Sequence, residues 1–191
     1  MRTLDLNGIW DFSFHPNAPM ESWNGEAEGL AGVMSVPGCF DALPENFCRR
    51  GYAVYARTFR LEKEWRNGWL RIDGMGLRGA FQLDGRPLGE MSLPYTAFEL
   101  ETGRLAAGEH RLVAVIDNNF DAEKMKLFLP YYDFYAFGGF YHGVSLRLSD
   151  AEQEQIRRRN SELYDKRYRI ERCAAAYLEH FLKTTAMNNQ S

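Results

Sequence analysis

Residues suited to chemistry gather in one stretch, 118–142, NNFDAEKMKLFLPYYDFYAFGGFYH, where Phe and Tyr crowd from Phe128 to Tyr141 around a single acid, Asp133. A carboxylate set among aromatic rings suits a sugar, because hydroxyls donate to the acid while C–H faces stack on the rings. The same residues also fit an ordinary loop in which Asp133 accepts backbone N–H groups to hold a turn. Other chemistry is scarce. The four histidines (His15, His110, His142, His180) stand far apart, and none has metal-ligand spacing with a Cys or another His. No phosphate-cradling loop or nucleophile elbow is present, and Gly74-Met75-Gly76 lacks a third glycine and a following helix. The sequence therefore calls for no metal and no cofactor. Cys39, Cys48 and Cys173 are odd in number and unhelpfully spaced, which points to free thiols in a reducing, cytoplasmic compartment.

The elements that must position these residues are read from composition and alternation. Of 191 residues, 45% are hydrophobic and 26% charged, enough to bury a sizeable core. A net charge of −3 argues against a nucleic-acid partner held by gross charge. No apolar run approaches the roughly 18 residues of a membrane span, and the opening MRTLDLNGIWDFSF lacks the apolar core of a signal peptide. All 17 glycines and all 7 prolines fall within 1–149. Turn-formers confined to one side mark a change of architecture near Ser149, so the sequence predicts a β domain over 1–149 and a helical tail over 150–191.

Within the β domain, Trp10, Phe12 and Phe14 share one face while Asp11 and Ser13 point away. Residues 53–61 carry bulky β-favouring side chains on both parities, as an inner strand would. Segments 69–72, 80–83, 111–117 and 143–148 read as further strands, and Asp84-Gly85 as a hairpin turn. Residues 36–38, 93–95, 129–132 and 138–139 read as loops. Many short strands without intervening helices predict an antiparallel sandwich, with Trp10, Phe12, Tyr55, Phe59, Val113, Val115 and Leu146 largely buried. In the tail, Ile156, Leu163, Ile170 and Tyr177 fall seven apart, with Ala174, Leu178 and Phe181 widening the stripe. That stripe is expected to pack on the sandwich or on another chain, while Arg157-Arg158-Arg159 beside nearby glutamates makes a solvated face.

Seven segments, in order over about 1–148, resemble the N-terminal sugar-binding domain of family 2 glycoside hydrolases, the β-galactosidases and especially the β-glucuronidases. They are Leu6-Asn7-Gly8-Ile9-Trp10-Asp11-Phe12, Val36-Pro37-Gly38 with Phe40-Asp41, Tyr55-Ala56-Arg57-Thr58-Phe59, and Leu83-Asp84-Gly85-Arg86-Pro87-Leu88-Gly89. Tyr95-Thr96-Ala97-Phe98-Glu99, Val115-Ile116-Asp117-Asn118-Asn119 and Asp133-Phe134-Tyr135-Ala136-Phe137-Gly138-Gly139-Phe140 complete the set. The resemblance implies a jelly-roll β-sandwich, like galactose-binding domains, and a glycan contact at Asp133, with Tyr132, Phe134 and Tyr135 as further candidates. It departs where the family has an arginine after the double glycine, since His142 and Gly143 stand here. It also stops at Leu148, whereas the family continues into a barrel of about 250 residues that carries both catalytic glutamates. Retaining hydrolysis needs that pair of carboxyl groups, so no residue of this chain is expected to be catalytic. Three uses follow: a non-catalytic carbohydrate-binding domain for a galactoside or glucuronide, weak alone; a split enzyme needing its barrel in trans; or an assembly domain pairing through its C-terminal helix.

Overall fold

Alternation along the strands decides which side chains enter the core. The computed structural model describes residues 2–92, 94–120 and 137–149. The tail 150–191, with its expected helix, lies outside the described residues, as do Tyr132, Asp133, Phe134 and Tyr135.

The described strands are β1 (Arg2–Asp5), β2 (Gly8–Pro16), β3 (Gly32–Val36), β4 (Gly38–Cys39), β5 (Gly51–Leu61) and β6 (Asn67–Ile72). They continue with β7 (Arg78–Leu83), β8 (Arg86–Met91), β9 (Phe98–Glu101), β10 (Gly108–Asp117), β11 (Gly139–Phe140) and β12 (Val144–Ser149). Three sheets result, with orders β1-β12-β6-β9, β3-β2-β5-β10-β7-β8 and β11-β4. Every strand pair in them is antiparallel. Among the described residues no helix is long and apolar enough to cross a membrane.

One apolar cluster draws on both large sheets. Leu70, Ile72, Val144, Leu146 and Leu148 from the four-stranded sheet meet Trp10, Phe12, Tyr55, Phe81, Leu112 and Ile116 from the six-stranded one. This is the packing of a β-sandwich. Trp10 and Phe12 are buried and Phe14 packs beside them, as the alternation requires. Burial on both parities of β5 has a separate cause. Tyr55 faces the inter-sheet core, while Tyr52, Val54 and Ala56 face a second cluster with Val113, Val115, Met20 and Ala27. The segment supplying Met20 and Ala27 is tied down by Arg78, which donates to Glu21 Oε1 at 2.8 Å and to Asp117 Oδ2 at 2.8 Å.

Two expectations are corrected. Phe59 is half-buried, because it lies towards the far end of β5 at the margin of the core and stacks on His110 with ring centroids 5.5 Å apart. The glycines of 36–38 and 138–139 are not wholly loop: Gly38–Cys39 and Gly139–Phe140 pair as β4 and β11. Two-residue strands of this kind carry no periodicity that a sequence could reveal.

The Asp84-Gly85 turn forms as expected. Both residues have positive φ, 52° and 74°, and Leu83 pairs with Arg86 across a two-residue loop. Asp84 does more than turn the chain. Its Oδ1 accepts the Arg111 N–H at 2.8 Å, and its Oδ2 faces His110 Nδ1 at 2.7 Å. The other ring nitrogen, Nε2, faces the Ala106 carbonyl at 2.9 Å. Acceptors face both nitrogens, an arrangement that favours the protonated ring. Burial alone would lower the His110 pKa, but Ala106 and the Asp84 carboxylate outweigh it and hold the pKa above the ordinary 6.5. The resulting stabilisation is complete below pH 6.5 and is lost as pH rises through the folded-state value. Melting temperature should therefore fall as pH rises from 6 to 8, and Asp84→Asn, which keeps a residue tolerant of the turn, should flatten that slope. Equal slopes in the two proteins would contradict the assignment.

Candidate functional site

The aromatic, acid-bearing stretch leaves the sandwich after β10 and returns at β11. Its two ends are described, and both are bound to one residue. After β4 the chain makes a 3-10 turn over Phe40–Ala42 that carries Asp41 inward until it is fully buried. The Asp41 carboxylate accepts the Gly138 N–H at 2.9 Å through Oδ2, and the Asn118 amide at 2.8 Å through the same oxygen. Asn118 lies just beyond β10 and Gly138 just before β11, so the carboxylate links the departing chain to the returning one.

Asn118 is itself held from several sides. Its Oδ1 accepts the Gly51 N–H at 2.9 Å, its own N–H donates to the Gly51 carbonyl at 3.1 Å, and its carbonyl accepts from Arg50 Nη1 at 3.1 Å. Burial pushes the Asp41 carboxyl above its ordinary pKa of 3.8. The bonds from Gly138 and Asn118 and the charge of Arg50 offset only part of that effect.

The double glycine is required by contact. A Cβ on Gly138 would run into the Phe40 ring and come within 2.7 Å of Asn118 Cβ. Gly139 has a φ of +116°, and a Cβ there would lie 2.5 Å from the Gly38 carbonyl oxygen. In this position Gly138 accepts the Phe40 N–H at 3.1 Å and Gly139 accepts the Gly76 N–H at 2.7 Å. Phe140 then seats its ring against Trp10 (5.6 Å) and Tyr55 (5.2 Å). Tyr141 donates to the Phe137 carbonyl and meets Tyr95 edge-on at 5.1 Å. At the familiar arginine's place, the His142 N–H donates to the Gly74 carbonyl at 3.2 Å.

Aromatic side chains remain exposed around these anchors. Phe120 is 42% exposed beneath the Arg50 guanidinium, which sits 4.3 Å above its ring, and Tyr95 is 40% exposed. Cys39 offers no nucleophile: burial, then the Asp41 charge, push its thiol up to about 11. Among the described residues no group of three or more His, Cys, Asp and Glu side chains could hold a metal ion. The structure thus describes the frame of the candidate site, and the proposed contacts Tyr132, Asp133, Phe134 and Tyr135 fall in the undescribed stretch between its ends. Asp41 and Asn118 have no assigned role in the sequence reading. They stand far apart in the chain, and the signal each gave was its place in one of the seven resembling segments, Phe40-Asp41 and Val115-Ile116-Asp117-Asn118-Asn119.

No protein-family model and no curated protein sequence matches the chain. Solved structures do. A family 2 β-galacturonidase from Eisenbergiella tayi aligns at 27% identity with a TM-score of 0.60, covering 76% of this chain and 24% of that enzyme. A β-glucuronidase from an uncultured Clostridium aligns at 21% identity and a TM-score of 0.65, with 78% and 29% covered. One from Bifidobacterium dentium, complexed with coumarin-3-O-glucuronide, aligns at 23% and 0.65, with 78% and 30% covered. The chain spans about a quarter of the length of the first of these enzymes.

Replacing Gly138 by Ala should destabilise the protein by about 1–3 kcal/mol, the usual cost of overpacking. Urea unfolding checks this, and an unchanged midpoint would show that the frame relaxes freely. The fold and the ordered motifs together make this chain similar to the N-terminal domain of family 2 glycoside hydrolases, with β-glucuronidases and β-galacturonidases among its structural neighbours.

Proposed function

We propose that this chain is a carbohydrate-binding β-sandwich of the jelly-roll type, related to the N-terminal domain of a family 2 glycoside hydrolase and carrying no catalytic residue of its own. The observation that carries the reading is the Asp41 link between Asn118 and Gly138, which fastens both ends of the stretch holding Asp133. A loop fixed at both ends loses less conformational freedom when it takes up a ligand. Asp133 accepts sugar hydroxyls, and Tyr132, Phe134 and Tyr135 offer rings for the sugar's C–H faces. Phe120 and Tyr95, exposed beside the anchors, extend the aromatic surface. Neighbouring enzymes of similar fold were captured with galacturonate and with a glucuronide, which favours a uronic-acid sugar over a neutral galactoside.

A second reading makes the chain one part of a split hydrolase whose barrel acts in trans, and the fold it shares with those neighbours is compatible with it. Assembly through the amphipathic stripe of residues 150–191 is compatible with either reading. We place the protein in the cytoplasm, a setting supported by Cys39 and Cys48 being free thiols.

Titration of the whole chain with glucuronate, galacturonate and galactose, followed by NMR, tests the binding reading. Weak saturable shifts are expected for at least one sugar, and Asp133→Asn should weaken them about tenfold, the worth of one charge-assisted hydrogen bond. No response to any of the three, or an unchanged affinity in the variant, would contradict it. The isolated chain should not hydrolyse chromogenic glucuronides or galactosides. Turnover abolished by a single carboxylate substitution would overturn the non-catalytic assignment.

A further inference from the structure

The two large sheets end in four edge strands, each presenting main-chain N–H and C=O groups to whatever lies beside it. Three of them carry features that discourage pairing. β1 exposes the charged Arg2 and Asp5, and β9 exposes the charged Glu101, side chains that oppose burial in a seam. β8 bears Arg86, Pro87 and Glu90, and its ladder with β7 is broken by a bulge next to Phe81.

β3 has none of these devices. Its residues Gly32, Val33, Met34, Ser35 and Val36 are uncharged and contain no proline. Met34 and Val36 point into the core, while Val33 is 63% exposed on the opposite face. The register with β2 sets Ile9 against Ser35 and Asp11 against Val33. Ile9, 61% exposed, is therefore a diagonal neighbour of Val33 on one outward face. Among the described residues the main chain of β3 bonds only to β2, so alternate N–H and C=O groups point away from the sheet.

We propose that β3 is a dimerisation edge on which a second copy of this chain adds its own β3 in antiparallel fashion. The strand suits itself as partner. It carries no charge to repel its counterpart, and an antiparallel pairing of identical strands obeys a two-fold axis. With the axis at Met34, Gly32 faces Val36 of the second copy and Val33 faces Ser35. Core-facing side chains then stay on the core side, and outward ones on the outward side. The seam unites two six-stranded sheets and brings each exposed Val33 beside the other copy's Ser35, one strand away from its Ile9. Five residues of ladder and two apolar side chains per copy make a small interface, so association is weak and concentration-dependent.

Sedimentation of the full chain across a wide concentration range tests this. The expected result is a monomer–dimer equilibrium whose dissociation constant V33K raises at least about tenfold, with an unchanged melting temperature because Val33 is exposed. Amide exchange at Gly32–Val36 should slow with concentration in the parent protein and not in V33K. The double variant V33K/S35E should associate again, since each introduced charge meets its opposite across the axis. A monomer at every concentration would overturn the proposal, and so would a dimer that V33K leaves intact, as pairing through residues 150–191 would be. A double variant as weak as V33K would overturn the Met34-centred pairing.

Discussion

The Asp41 carboxylate, buried at one end of the sandwich, holds together the two points at which residues 121–136 leave and rejoin the described fold. A carboxylate taken out of water is costly unless its oxygens are bonded, and here the Gly138 N–H and the Asn118 amide bond them. The expense leaves its mark in the raised carboxyl pKa. It also explains the crowding around the carboxylate. For Gly138 to reach Asp41, the backbone must pass against Phe40 and Asn118, and only a residue without Cβ fits there. Asn118 in turn ties β10 to the start of β5, so the carboxylate is joined to the central pair of strands in the six-stranded sheet.

The sandwich supplies the rigidity on which that arrangement rests. β5 and β10 run together over ten paired positions in the middle of the larger sheet, and both are covered on both faces. The inner face packs across to the four-stranded sheet. The outer face is roofed by the segment that Arg78 holds through Glu21 and Asp117. Asp117 and Asn118 are consecutive yet serve opposite ends of this scheme: Asp117 fixes the roof, and Asn118 fixes the candidate site. Binding residues often occupy connections anchored on rigid sheets.

Much of this was legible in the residues themselves. Alternation located β2, β10 and β12, since side chains alternate between faces with period two, while β6 and β7 were read only as short candidate strands. The hairpin was legible because Asp-Gly tolerates two successive positive φ values. The short β4–β11 ladder was not, since two residues carry no period and the glycines there read equally well as loop. Phe59 was read as core from its type, yet strand position decided its half-exposure. For the site, aromatic crowding around Asp133 singled out residues 118–142 as a candidate, but it could not reveal the Asp41–Asn118 pair. Contacts across such a separation leave no local pattern, and each residue alone looks like an ordinary turn former.

A double-mutant cycle on Asp41 and Asn118 measures the central interaction directly. Asp41→Ala, Asn118→Ala and the double variant would be unfolded in urea, and the three stability losses compared. If the carboxylate and the amide hold the frame as one unit, the double variant should lose less than the sum of the singles by about 1 kcal/mol or more, within the range of 0.5–3 kcal/mol for contacting residues. Additive losses, within about 0.5 kcal/mol, would show that Asp41 and Asn118 act independently and that the site is framed by something else.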